Sequence, residues 1–108
     1  MATGTIISNN WRLWNTASGN NSITLPSKFA ELMCEVCVDN SEDNYTNVTV
    51  AKAMLSSTAK GFRSGGYGAN TSSMATIVQI TTTTAKIVQA RLNGTDKAST
   101  SVLKVYYR

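Results

Sequence analysis

The sequence predicts an all-β fold: a single-domain, antiparallel β-sandwich, jelly-roll-like, spanning residues 1–108. Short runs of alternating apolar and polar residues recur along the chain, separated by turn-forming residues, a pattern typical of sandwiches and jelly rolls. Serine, threonine and asparagine make up 37 of the 108 residues. Threonine favours half-exposed strands because it is β-branched, whereas serine and asparagine favour turns. The length suits one domain.

The alternation also predicts where the strands lie. They are, in chain order, Thr5–Trp14 (a strand pair, or one strand with an irregular start), Glu31–Asp39, Val48–Leu55, Met74–Thr81, Thr84–Leu92 and Ser101–Tyr107. Polar or glycine-rich composition predicts loops at Asn15–Ser22, with its bend at Gly19, at Asn40–Asn47 and at Lys60–Ser73. Pro26 ends any ladder that includes Ile23–Leu25, because proline has no backbone N–H. A short helical piece is expected near Ala51–Ser57.

The final segment, Lys86–Arg108, is predicted as a hairpin whose two strands are joined by a turn at Asn93–Gly94. Its last strand carries Leu103, Val105 and Tyr107 on one face and Val102, Lys104 and Tyr106 on the other. Both faces are apolar apart from the lysine, and a strand of this kind is usually covered on both sides. A subunit interface between copies of the chain is therefore predicted at Val102, Tyr106 and Tyr107.

Charge and composition argue against several functional classes. The net charge is +4, but the cations are spread from Arg12 to Arg108, so the dense basic stripe of a nucleic-acid-binding protein is not expected. Five of the six acids lie within Glu31–Asp43, which indicates a solvated edge and loop rather than a metal site. No apolar run is long enough to cross a bilayer, so membrane insertion is not expected. Residues 1–10 lack the pattern of a signal peptide. The five Asn-x-Ser/Thr sequons, which begin at Asn20, Asn44, Asn47, Asn70 and Asn93, are therefore expected to be unglycosylated.

The residues that carry chemistry are few. The chain has no histidine, the commonest general base, and no nucleophile motif, so a non-enzymatic protein without cofactor or metal is predicted. Cys34 and Cys37 form a CxxC pattern that occurs in redox and zinc sites. On a strand, residues three apart point to opposite faces, so two independent cysteines are predicted, with Cys34 in the core.

Two segments could bind a ligand. The glycine-rich segment Lys60–Ser73 lacks the ending of a phosphate loop. It is either a flexible connection or a binding loop that offers Arg63, Tyr67 and Asn70 as donors and an aromatic face. Trp11 and Trp14 could form a sugar-stacking platform, or one could lie in the core and the other at an interface or surface.

Three segments resemble small domains in the tail-fibre and receptor-binding proteins of phages and prophages from Gram-positive bacteria. They are ITLP at Ile23–Pro26 followed by FAEL at Phe29–Leu32, LSSTAK at Leu55–Lys60 leading into Phe62 and Gly65–Tyr67, and NGTD at Asn93–Asp96 followed by LKVYYR at Leu103–Arg108. The resemblance covers residues 23–108. It implies a jelly-roll sandwich that assembles as a homotrimer on the virion surface and attaches to a cell-surface glycan or protein. It supplies no ligand residues.

The leading hypothesis is therefore a non-enzymatic virion attachment protein, assembled in the host cytoplasm. The alternative is a capsid decoration, head-fibre or connector protein that binds only other virion proteins. A free carbohydrate-binding module is a weaker third, because only eight residues are aromatic and several must serve the core.

Overall fold

The computed structural model describes residues 10–108, which form the predicted β-sandwich of two antiparallel sheets. Sheet I contains, in spatial order, β1 (Arg12–Ser18), β9 (Val102–Tyr107), β3 (Glu31–Cys37) and β4 (Tyr45–Ala51). Sheet II contains β2 (Ile23–Thr24), β7 (Thr84–Leu92), β6 (Ser73–Ile80) and β5 (Lys60–Tyr67), with β8 (Thr95–Asp96) pairing β7. Short 3₁₀ turns lie at Val38–Asn40, Lys52–Met54, Ala69–Thr71 and Ala98–Thr100. Within residues 10–108, no helix has the length and apolar character needed to cross a bilayer.

The chain wraps around itself as it alternates between the sheets. The first strands pair with the last, because β1 lies beside β9 and β2 beside β7, which makes the wrapping jelly-roll-like. Between these pairs, β3 and β4 form one hairpin and β5, β6 and β7 form a meander. The central strands of each sheet are thus bonded on both sides.

The core lies between the inner faces of the two sheets. Period-two alternation places one apolar set of each strand inward, and these side chains are almost fully inaccessible to solvent. From sheet I they include Leu32, Cys34, Val36, Leu103 and Val105, and from sheet II Val78, Ile80, Ala85, Ile87 and Ala90.

One polar contact crosses the core. The hydroxyl groups of Thr46 on β4 and Thr76 on β6 lie 2.6 Å apart, and both residues are buried. Thr76 also lies 3.3 Å from the Ser64 carbonyl oxygen, to which it can donate. Each hydroxyl therefore satisfies the other in a place where an unpaired polar group would be costly.

This pair predicts a non-additive result. Thr76→Val is expected to lower the free energy of unfolding by about 1–3 kcal/mol, because it leaves the Thr46 hydroxyl buried without this partner. The double variant Thr46→Val/Thr76→Val should be more stable than the sum of the single changes predicts. Urea denaturation of the four proteins measures the coupling. Strict additivity would contradict the contact.

The predicted terminal hairpin is wrong. Asn93–Gly94 does make a turn, but it connects β7 to the two-residue β8, and the chain then crosses to sheet I. β7 and β9 thus lie in different sheets. The physical reason is burial: β9 occupies a central position between β1 and β3, where Leu103 and Val105 are fully enclosed.

The predicted loop Lys60–Ser73 is also wrong over most of its length. Residues 60–67 form the edge strand β5, which is in register with β6 throughout. The glycines hide the alternation, yet two of them suit a strand in close contact with its neighbour. A Cβ at Gly65 would lie 2.8 Å from the Met74 carbonyl oxygen, and one at Gly61 would lie 3.1 Å from Ile77 Cγ2.

Other boundaries shift by a few residues. β1 extends to Ser18 and β4 begins at Tyr45, so each takes part of a predicted loop. The bend at Gly19 is confirmed, with φ +60°, and the helical piece is the 3₁₀ turn Lys52–Met54. The part of the predicted first strand that precedes Asn10 lies outside the described residues.

Candidate binding face

The outer face of sheet II carries an open array of cations, hereafter the basic face. Because the inner side chains of β6 and β7 fill the core, the alternate residues point to solvent. The face comprises Arg63 and Tyr67 from β5, Ala75, Ile77 and Gln79 from β6, and Lys86, Gln89 and Arg91 from β7. Its residues stand in cross-strand rows: Arg63 with Ile77 and Gln89, Gly65 with Ala75 and Arg91.

The cations of this face are not held in ion pairs within the described part of the chain. Arg63, Lys86 and Arg91 make no ion pair with any residue in 10–108. The nearest acid by register is Asp96, opposite Arg91 on β8, and its Oδ1 accepts a hydrogen bond from the Ala98 backbone N–H. Strand spacing puts the backbones of Arg63 and Arg91 about 12 Å apart. The face is therefore a spread positive surface rather than a single anion pocket.

The sheet surface between these cations carries a strip of small side chains. Gly65 and Ala75 lie in one row, and the half-buried Ile77 lies in the next. Val88 forms a β-bulge in β7 and is 40% exposed beside this strip. Bulges commonly re-aim side chains next to functional sites. The result is a strip of small side chains bordered by long cationic ones.

The structure brings two of the three predicted ligand residues onto this face. Arg63 and Tyr67 point outward from β5, and Tyr67 is 79% exposed. Asn70 lies just beyond, in the 3₁₀ turn Ala69–Thr71, with φ +54°. These residues were assigned to a loop, but a strand paired along its length holds the first two.

Sequence reasoning missed Lys86, Gln89 and Arg91 as part of this site. Lys86 and Arg91 are five residues apart, so strict alternation would put them on opposite faces. The bulge at Val88 resets the alternation and turns both outward. The signal available in the sequence is the adjacent apolar pair Ile87 and Val88, which interrupts an otherwise alternating segment.

A concave site, separate from the basic face, lies at one end of the sandwich. It has a volume of about 360 Å³ and is lined by Ser18, Asp39, Asn40, Ser99, Thr100, Ser101 and Val102. Its polar groups largely satisfy one another: the Thr100 hydroxyl donates to the Asp39 carboxylate at 2.7 Å, and Lys97 Nζ lies 3.8 Å from the same carboxylate. The hydroxyl of buried Ser101 donates to the Lys97 carbonyl and accepts from the Asp39 N–H. These bonds join the turns structurally.

The outer face of sheet I is different. Leu13, Met33 and Tyr106 stand in one row across β1, β3 and β9, and Val102 lies two rows away, all half-buried. We call these four residues the apolar face. Partial burial and the nearby Glu35 carboxylate raise the pKa of Tyr106. Of the predicted interface residues, Val102 and Tyr106 lie here. Tyr107 points the other way, with its ring 5.6 Å from that of Trp14.

The tryptophans do not form an exposed platform. Trp11 is buried, with the Arg108 guanidinium 4.3 Å from its ring centre. Trp14 packs against the core and donates its indole N–H to the Thr24 carbonyl at 2.8 Å. The sugar-stacking interpretation is therefore wrong, and both rings serve packing.

Both cysteines are free, as predicted. Cys34 lies in the core, and burial raises the pKa of its thiol to about 12. Cys37, on the opposite face of β3, lies 3.8 Å from the Glu35 carboxylate, and burial and that charge raise its pKa. Within residues 10–108, no group of three potential ligands could hold a metal ion.

The burial of the Cys34 thiol predicts that the free energy of unfolding falls at alkaline pH. The unfolded chain ionises Cys34 near its ordinary pKa of 9.0, but the folded chain keeps it neutral to about 12. The unfolded state thus binds fewer protons in this window, so stability should fall as pH rises, by up to about 1.4 kcal/mol per pH unit. Denaturation of Cys34→Val should show a flatter pH dependence over the same window. An unchanged slope would contradict burial as the cause.

Comparison of the chain with protein-family models, curated proteins and solved structures found no match.

Proposed function

We propose that this protein is a non-enzymatic phage virion protein that attaches to a bacterial cell-surface glycan or protein. The basic face is the observation that carries the proposal. It offers guanidinium and ammonium groups that make no ion pair within residues 10–108, together with an exposed Tyr67 ring on a paired sheet. Such groups can bind an anionic or polar ligand. The resemblance of residues 23–108 to receptor-binding domains supports the same assignment. The protein acts on the virion surface and needs no cofactor.

We propose further that the chain assembles as a homotrimer through the apolar face. A covered position suits Leu13, Met33 and Tyr106, because contiguous apolar groups on a sheet surface are typical of interfaces. Lys104 and Glu35 lie side by side in the next row, between Tyr106 and Val102, and give the face both signs of charge. Lys104 also pairs with the exposed Glu42 at 3.3 Å. A second copy can therefore present complementary groups to it.

Binding to purified cell walls tests the attachment function. The protein is expected to co-sediment with the walls of at least one species in a panel of Gram-positive bacteria. Tyr67→Ala and Arg63→Ala should each weaken binding with the fold intact, as checked by circular dichroism. The matched controls are Met54→Ala and Lys28→Ala, which remove an exposed apolar and an exposed cationic side chain away from the basic face.

A decoration or connector role is the second candidate, and the apolar face favours it because that surface would also fit another virion protein. This role predicts no binding to cell walls, but tight association with a capsid or tail lattice. Wall binding that is sensitive to Tyr67→Ala would exclude it as the sole function.

A further inference from the structure

We infer that the ligand of the basic face is an anionic polysaccharide, a glycan chain that carries carboxylate or phosphate groups. The inference rests on the proposed attachment function and narrows it to one chemical class.

The charge distribution supports this class. Five of the six carboxylates lie within Glu31–Asp43, in β3 and the connection that follows it. Of these, Asp43 lies beside the Tyr67 end of β5, where its carbonyl accepts a hydrogen bond from the Ala69 N–H at 3.1 Å. Sheet II has only Asp96, in the short β8. Arg63, Lys86 and Arg91 therefore create a positive potential on the basic face that no neighbouring acid neutralises, apart from partial compensation at Arg91. A surface of one sign concentrates ligands of the opposite sign.

The neutral groups favour a glycan. Gln79 and Gln89 lie among the cations and supply amide donors and acceptors for hydroxyl groups. The strip of small side chains at Gly65 and Ala75 lets an extended chain lie close to the sheet, and Tyr67 offers an exposed ring at its end for an apolar sugar face.

Two other occupants fit less well. Single-stranded nucleic acid uses several aromatic rings to stack successive bases, and this face has one. A second copy of the chain would have to present acids, but Glu31, Asp39 and Glu42 are already engaged by Arg108, Lys97 and Lys104. The other three acids, Glu35, Asp43 and Asp96, lie on separate elements (β3, the β3–β4 connection and β8), so a second copy presents no cluster of free carboxylates to this face.

The experiment measures affinity for defined probes at low salt. Polygalacturonate provides carboxylates and dextran phosphate provides phosphates, while neutral dextran, oligo-dT and polyglutamate represent the other classes. We expect at least one of the two anionic glycans to bind more tightly than all three comparison probes. Added salt should weaken this binding, because it screens the attraction between charges. Arg63→Ala/Arg91→Ala should reduce this affinity about tenfold, equivalent to about 1.4 kcal/mol.

The matched control, Lys28→Ala/Lys60→Ala, removes the same charge from residues off the basic face and should change the affinity less than about twofold. An equal loss in both double variants would overturn the proposal, because it would indicate attraction to net charge alone. Tighter binding of oligo-dT, polyglutamate or neutral dextran, or no binding to either anionic glycan, would also overturn it. Wall binding that persists in Arg63→Ala/Arg91→Ala would refute this inference and remove the two arginines from the binding site, while attachment to the wall itself would stand.

Discussion

Leu103→Ala is expected to lower the free energy of unfolding by about 3–5 kcal/mol, a large part of the stability of a domain of this size. Leu103 is fully buried on β9, the strand that pairs with both β1 and β3. Truncation removes apolar contacts and leaves a cavity in a core that includes residues of both sheets. Urea denaturation at a fixed protein concentration measures the effect.

Val102→Ala is the matched control, because the adjacent residue lies on the outer face of the same strand. This substitution should lower the free energy of unfolding of the monomer by about 1 kcal/mol or less. Comparable losses from both variants would contradict the inward placement of Leu103.

Tyr106→Asp is expected to convert the proposed trimer into monomers that remain folded. The charge would lie on the apolar face beside Leu13 and Met33, where association would bury it without a partner. Sedimentation velocity at micromolar concentration measures the change. Gln79→Asp places the same charge on the outer face of sheet II and should leave the trimer intact. A wild-type protein that is monomeric under these conditions would contradict the trimer itself.

The fold could be predicted from the sequence because alternation reports burial. In Glu31–Asp39 every second residue from Leu32 is apolar, and in Met74–Thr81 every second residue from Met74 is apolar except Thr76. In both segments this set forms the buried face of a strand. Strand partners could not be predicted in this way. The signal at Asn93–Gly94 identifies a turn, but it does not say that the returning strand has only two residues. The partner of β9 depends on long-range packing, which alternation does not encode.

The candidate site was only partly predictable. The glycine-rich segment around Arg63 and Tyr67 predicts a binding loop, but the same residues form the strand β5. Glycine has no side chain, so Gly61, Gly65 and Gly66 leave too few side chains to show the alternation of the half-buried Phe62 and Ser64 with the exposed Arg63. Lys86 and Arg91 are five residues apart, a spacing that predicts opposite faces of a regular strand. The bulge at Val88 instead places both on one face.

The most direct test of the attachment account is to map the contact surface by NMR. The ¹⁵N-labelled protein would be titrated with soluble polymer released from a cell wall that it binds. If the polymer binds to the basic face, amide shifts are expected to change along β5 and in the outward residues of β6 and β7, including Arg63, Tyr67, Ile77 and Arg91. Changes confined to β3 and β9 on sheet I, or no changes at saturating polymer, would contradict it.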